Sequence, residues 1–404
     1  MVGAAGLAPV DRHLSRAASG AQDRTLVTAA SHSPEPAMRR TLPLAFLPLV
    51  LLAACADEVP TSLDPAVSAK RAPVAAAAAV TVVMSGLDAP RGLAWGPEGA
   101  LYVAEAGTAQ VVGPCAAVPR GASCYSGTGA VSRLWKGEQT RVVSGLPSHY
   151  NATTVDIAGP QDIDFQGRGN GYVTIGWGAP PAARSQLGAL GPLFGTLIKL
   201  RPSGGWSVEA DISGFEAATN PDGGPVDSNP FGLLAEPGHQ LVADAGGNSL
   251  VQVDADGTIS LVAVFARVPA GAPTSEPVPT EVKRGPDGAL YVSILSGVPF
   301  TAGNAGIYRV VPGEPPVLYV GGFKTITDFD IAPDGTLWIV QYASSPTFFG
   351  GPGLLIRVDR DGTRTVVSAA LANPTGVLVG PDGAIYVSNR GNLADVGEVL
   401  RIVP

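Results

Sequence analysis

"GPDGALYVS" (285–293) is a turn followed by a strand of alternating polarity, and the chain repeats it nearly unchanged as "GPEGALYVA" (96–104) and "GPDGAIYVS" (380–388). Asp-Gly or Glu-Gly supplies the φ > 0 positions at which two adjacent strands reverse tightly. The Leu-Tyr-Val alternation then sends successive side chains to opposite faces of a sheet. The phrase belongs to a longer unit present in six copies. In each copy the strand after the turn carries one large residue at the same place: Tyr102, Tyr172, Leu241, Tyr291, Trp338 and Tyr386. A short apolar strand precedes it, as in "RGLAW" from Arg91, "QDIDF" from Gln161 and "TDFDI" from Thr327. A third strand follows with a long polar residue, at Arg133, Lys199, Gln252, Arg309, Arg357 and Arg401. A fourth comes after a DGT-type turn, as in "GTISLVAVF" from Gly257.

Four antiparallel strands per unit and six units make an all-β, six-bladed β-propeller. A single four-stranded sheet leaves two faces open, and stacking six about an axis covers them. The chain ends support the count. The sixth unit has three strands and stops at Pro404, while "VTVVMSGL" (80–87) reads as an isolated fourth strand. We expect residues 80–87 to complete the last blade, closing the ring and removing the sheet edges that invite aggregation. Composition agrees, with 52 glycines, 37 prolines and only 15% charged residues, as many short strands and tight turns require. A doubly wound α/β fold needs helical crossovers of about a dozen residues, and none is convincing. The net charge of −8 without a basic stripe argues against nucleic acid, whose phosphates are neutralised by Lys and Arg.

Ahead of the repeats lies one sustained apolar run, residues 42–54, preceded by Arg39-Arg40. It is too short for a spanning helix of about 20 residues and reads as a signal h-region. Its end, Leu52-Ala53-Ala54-Cys55, is similar to the bacterial lipobox, which makes Cys55 the lipidation site and places the protein outside the cytoplasm on a membrane anchor. Because Met38 directly precedes the arginines, residues 1–37 read as a non-native extension. The expected organisation is a lipoprotein signal over 38–55, a flexible Ala/Pro-rich tether over 56–78 and the propeller over 79–404. In an exported protein the remaining cysteines, Cys115 and Cys124, most simply form a disulfide stiffening their loop by roughly 2–3 kcal/mol. A metal pair lacks histidines at zinc-like spacing.

Connectivity separates the two faces of the disc. The GPDG and DGT turns lie on one face and are short. The connections on the other are long: 106–129, 176–194, 216–228, 267–277, 295–306 and 342–353. Binding residues collect on loops carried by a rigid scaffold, so the long-loop face is the functional one. The candidate ligand or cation groups there are Asp162, Asn229, Glu281 and Asp328 from first strands, with Glu105, Asp244 and Asn389 from the ends of second strands. Arg91, Gln161 and Gln341 occupy equivalent places. Converging acids suit a hard cation such as Ca²⁺; alternatively they cap turns and bind channel water, and Asp244 with Asn248 reads first as a loop brace. Serine-type catalysis has only His149 and His239 to draw on. We expect His239 in a short, exposed turn and His149 in a long loop, and assign no catalytic residue.

With the blades laid out, the chain resembles the ScyD/ScyE family of exported bacterial NHL-like propeller proteins, named for members encoded beside scytonemin pigment biosynthesis genes. The stretches carrying the resemblance are "APRGLAWGPEGALYVAEAG" from Ala89, "GPQDIDFQGRGNGYVTIGWG" from Gly159, "NPDGGPVDSNPFGLLA" from Asn220, "LVADAGGNSLVQVD" from Leu241 and "PTGVLVGPDGAIYVSNRG" from Pro374. The resemblance implies an exported propeller and a link to pigment or secondary-metabolite assembly. The family has His where this chain has Gln161. Two functions stand. One is a monomeric, lipid-anchored binding or scaffold protein that takes a small molecule, glycan or protein on its long-loop face. The other is a metal-dependent lactonase or hydrolase of the gluconolactonase type, its cation held by Glu105, Asp162, Asn229 or Asp244.

Overall fold

The computed structural model describes residues 78–404, apart from 168, 202–203, 269–273 and 347–348. The expected signal, tether and lipidation site at Cys55 lie outside the described residues. Six four-stranded antiparallel sheets succeed one another along the chain. Their innermost strands are Pro90–Trp95, Pro160–Gln166, Pro230–Glu236, Pro279–Arg284, Ile326–Ile331 and Gly376–Val379. Each packs against the next, and the last packs back against the first, so the ring is closed. The closing strand is Ala79–Leu87, which pairs antiparallel with Gly397–Val403 as the outer strand of blade 6. Met84 and Leu87 from this strand are almost completely buried in a cluster with Leu93, Leu101 and Val103 of blade 1 and Tyr386 and Val399 of blade 6.

The repeated phrase acquires a physical explanation. In "GPDG" at 285–288 the amide of Gly288 bonds the carbonyl of Gly285 at 3.0 Å. Of the Asp-Gly pair only the glycine has positive φ, 79°, so the reversal is a turn ending in one left-handed residue and not a two-residue hairpin. Asp287 works through its side chain. It accepts from the amide of Ala289 at 3.2 Å, the Tyr291 hydroxyl at 3.3 Å and the Arg309 guanidinium at 2.9 Å. Asp382, Tyr386 and Arg401 repeat the arrangement. Strand register places the large residue of every second strand opposite the long polar residue of the third, for example Tyr291 opposite Arg309 and Tyr386 opposite Arg401.

Hydroxyls staple one blade to the next. Thr174 donates to the Phe231 carbonyl at 2.6 Å, Thr280 to Ile326 at 3.0 Å, Thr327 to Pro374 at 3.0 Å and Thr375 to Pro90 at 2.6 Å.

The long connections hold structure that the repeat did not foretell. A seventh sheet forms from Cys115–Val118, Gly121–Tyr125, His149–Asn151 and Asp156–Ala158. Cys115 and Cys124 face each other in its hairpin and form the expected disulfide. A 3₁₀ segment, Pro181–Leu193, fills the long connection of blade 2, and an α-helix, α1, Ile212–Thr219, links blades 2 and 3.

Leu87→Ala opens a cavity where the chain ends close the ring and should lower stability by about 2–5 kcal/mol in guanidinium unfolding. Deleting 79–87 should abolish the single cooperative transition. A deletion variant that melts like the parent would refute closure by this strand.

Candidate functional site

The structure divides the seven candidate groups into two sets. Glu105, Asp244 and Asn389 end second strands, and each accepts the backbone N–H of the chain leading into the first strand of its own blade. The bonds come from Asp88, Asn229 and Ala372 at 2.7, 2.6 and 2.7 Å. Gln341 does the same for Lys324 at 2.9 Å. This is a repeated loop brace, and the remaining bonds of these side chains are also internal. Glu105 binds Ser132 and Arg141, each at 2.5 Å. Asp244 takes the Ser228 hydroxyl at 2.8 Å and the amides of Gly246 and Gly247 at 3.1 Å. Asn389 donates to Glu398. Asn229 accepts from the Trp177 amide at 3.0 Å. Of Glu105, Asp162, Asn229 and Asp244, the alternative cation ligands of the lactonase reading, the first is held by Arg141, the last two brace a rim loop, and Asp162 lies on the axis.

Asp162, Glu281 and Asp328 do share the axis, and the reason is local. The innermost strand of a blade is a sheet edge whose inward N–H groups lack a ladder partner. Asp162 and Asp164 reach across to blade 3 and accept from Leu233 at 2.8 Å and Ala235 at 2.7 Å. Half a turn of the ring away, Asp328 and Asp330 accept from Val377 at 2.7 Å and Val379 at 2.8 Å of blade 6. The alternation Asp-x-Asp in "QDIDF" and "TDFDI" carried this signal, and only its first acid in each pair was picked out. At the equivalent places in blades 3 and 6 stand Gly232 and Gly376, where a Cβ would fall 2.5 Å from the Glu281 Cα and from the Arg91 carbonyl oxygen.

Lys283, which sequence reasoning passed over, sits among these acids, 3.2 Å from Glu281. Burial works against its charge, but Glu281, Asp328, Asp162 and Asp330 outweigh it and hold its pKa well above the ordinary lysine value. Burial, followed by Glu281, raises Asp162 and Asp328 well above the usual carboxylate range. Burial likewise raises Asp164, Glu281 and Asp330. Five carboxyls therefore share one ammonium.

The mouth above this cluster is different. Arg91 is 8% exposed. It donates through Nη2 to the Ile157 carbonyl of the seventh sheet at 2.7 Å, and its Nε has no partner. Burial lowers its pKa, opposed by the charges of Asp156 and Tyr342. Gln161, in the equivalent place on the next blade, is buried with Oε1 unpartnered. His149 lies buried in the seventh sheet instead of on an open loop, its Nε2 3.1 Å from the Trp177 carbonyl and its ring edge-on to Trp177 and Phe194. Burial lowers its pKa and keeps it neutral, a packing role. His239 is half-buried at the short-loop face, 3.3 Å from Glu236.

No family model matches the chain, and no curated protein matches it. Among solved structures it is similar to a calcium-binding protein, regucalcin, from Agrobacterium tumefaciens, at 12% identity over 81% of this chain and 95% of that one, TM-score 0.47. It is similar also to a gluconolactonase from Xanthomonas campestris, at 11% identity over 80% and 90%, TM-score 0.47. A third is virginiamycin B lyase from Staphylococcus aureus, at 12% identity over 81% and 99%, TM-score 0.43. The site is read from this chain's own side chains.

Raised carboxyl pKa values mean that the folded state binds protons which the unfolded chain releases, so this cluster costs more stability as pH rises. Lys283→Met removes the shared cation and should destabilise by about 3–5 kcal/mol at pH 8, and by clearly less at pH 5. Equal losses in urea unfolding at both pH values would show that Lys283 does not offset carboxyl charge.

Proposed function

We propose that this propeller is a ligand-binding protein whose long-loop face takes a small polar molecule bearing a carboxylate or polarised carbonyl. One observation carries the reading: a buried guanidinium at the axial mouth, Arg91, keeps a donor without a partner. A buried unpaired donor is costly, and a ligand oxygen would supply the missing acceptor as a charge-assisted bond. Gln161 and Tyr342 stand beside or across the mouth to orient such a ligand. The seventh sheet and the 3₁₀ segment would wall it.

A second reading, a hydrolase acting on lactones with a divalent cation, draws on the acids one residue below that mouth. Burial raises the Asp162 and Asp328 carboxyls, the direction that suits a general acid. A cation, if bound there, would polarise the carbonyl. The disulfide Cys115–Cys124 favours an oxidising compartment. With the lipobox-like Leu52-Ala53-Ala54-Cys55 it supports an extracytoplasmic, lipid-anchored monomer, and the ScyD/ScyE resemblance supports an accessory role in exported metabolite assembly.

Gluconate, glucuronate and glucono-1,5-lactone are suitable probes, titrated with thermal melting and lactone hydrolysis as readouts. Binding should raise the melting temperature of the parent and be lost, at least tenfold in affinity, in Arg91→Met. Cation-dependent lactone turnover would favour the second reading; neither binding nor turnover with any probe would remove the small-acid assignment.

A further inference from the structure

A second group of acids lies away from the axis, in the connection between blades 2 and 3, and it contains a carboxyl with neither oxygen hydrogen-bonded. Helix α1 carries Glu216 on its inner side, 2% exposed, and both carboxyl oxygens lack a hydrogen-bond partner. It points into a ring of acids. A Cβ placed on Gly247 would lie 2.8 Å from Glu216 Oε2 and 3.1 Å from Asp244 Oδ2. The helix ends one turn later at Asn220, in the left-handed region with φ 37°. Asn220 uses its amide nitrogen on the Gly224 carbonyl, and its Oδ1 has no partner. Asp227 Oδ1 is unpartnered as well.

The surrounding acids are already satisfied. Asp222 accepts from Gly224 and Asn248, Asp244 from Ser228 and three backbone amides, and Glu276 from Asn248 and Arg267. They contribute further negative charge around the site, and each already takes donors from the protein. What remains is Glu216 with neither carboxyl oxygen hydrogen-bonded, and one unpartnered oxygen each on Asn220 and Asp227, at a helix C-terminus whose dipole favours a cation.

We propose that Glu216, Asn220 and Asp227 hold a calcium ion in the 216–227 segment, with backbone carbonyls or water completing its shell. Hard oxygen ligands without octahedral arrangement suit Ca²⁺, which takes six to eight of them, better than Mg²⁺ with its strict octahedron. The acid environment agrees. Burial, then Asp244, Asp222 and Asp227, raise Glu216 to about 7. Burial and Asp244 raise Asp227 to about 6, against a backbone hydrogen bond from Ser228 and the nearby Arg120. Protons therefore compete with the cation near neutrality. The site is separate from the axial mouth and independent of the ligand proposed there.

The test is calorimetric titration of the whole protein with CaCl₂ at pH 7.5, with thermal melting in EDTA and in Ca²⁺. We expect one ion per chain, bound in the range on the order of 10⁻⁴–10⁻³ M typical of extracellular modules, with Mg²⁺ at least tenfold weaker. Glu216→Gln should lose at least tenfold in Ca²⁺ affinity while melting in EDTA at or above the parent, because it removes a buried charge that lacks a partner. Without Ca²⁺ the parent's melting temperature should fall as pH rises from 5 to 8, and Glu216→Gln should flatten that fall. Glu281→Gln, on the axis, should keep the Ca²⁺ response. Absence of Ca²⁺ binding, or a full response in Glu216→Gln, would overturn the site.

Discussion

Everything in this propeller depends on what happens to the inner edge of each blade. A sheet edge turned toward an axis exposes N–H groups that neither water nor a neighbouring strand fully serves, and an unserved amide costs as much as a lost hydrogen bond. The chain answers with Asp162, Asp164, Asp328 and Asp330, which lend carboxylate oxygens to the amides of the following blade. Where the acids are absent, glycines 232 and 376 let the backbones come close instead. The carboxylate bridges repeat half a turn apart, from blade 2 to blade 3 and from blade 5 to blade 6, whereas blade 1 has Gly92 where blade 4 has Glu281. Carboxyls gathered this way need compensation, and the Lys283 ammonium among them supplies it.

The same residue type therefore does two jobs. On the axis, Asp162, Asp164, Asp328 and Asp330 each give an oxygen to a backbone donor of the next blade and serve as staples. Glu216 lies among other acids with neither carboxyl oxygen hydrogen-bonded. Counting carboxylates does not separate the cases; accounting for their partners does. Arg91 is the cationic counterpart, a donor left over at the mouth of the long-loop face.

The fold was legible because it rests on local chemistry repeated six times. Gly288 with its φ of 79°, the Asp287 side chain capping the turn, and the register of Tyr291 against Arg309 are all short-range. The sites were only half legible. Asp162, Glu281 and Asp328 lie around one buried lysine, and Asp244 braces a loop as its repeat position suggested, whereas the partners of Glu105 were not legible, since a strand's end does not reveal which loop amide will reach it. The seventh sheet escaped because its strands come from two connections separated by much of a blade.

By itself the sequence determined the blade, the number of blades, the strand that closes the ring, the cysteine pair and the face that carries the insertions, because periodicity and turn residues act over a few positions. Only tertiary structure decided which acids find donors and which do not. That outcome depends on side chains meeting amides some seventy positions away, as Asp162 meets Leu233, and no spacing along the chain encodes it.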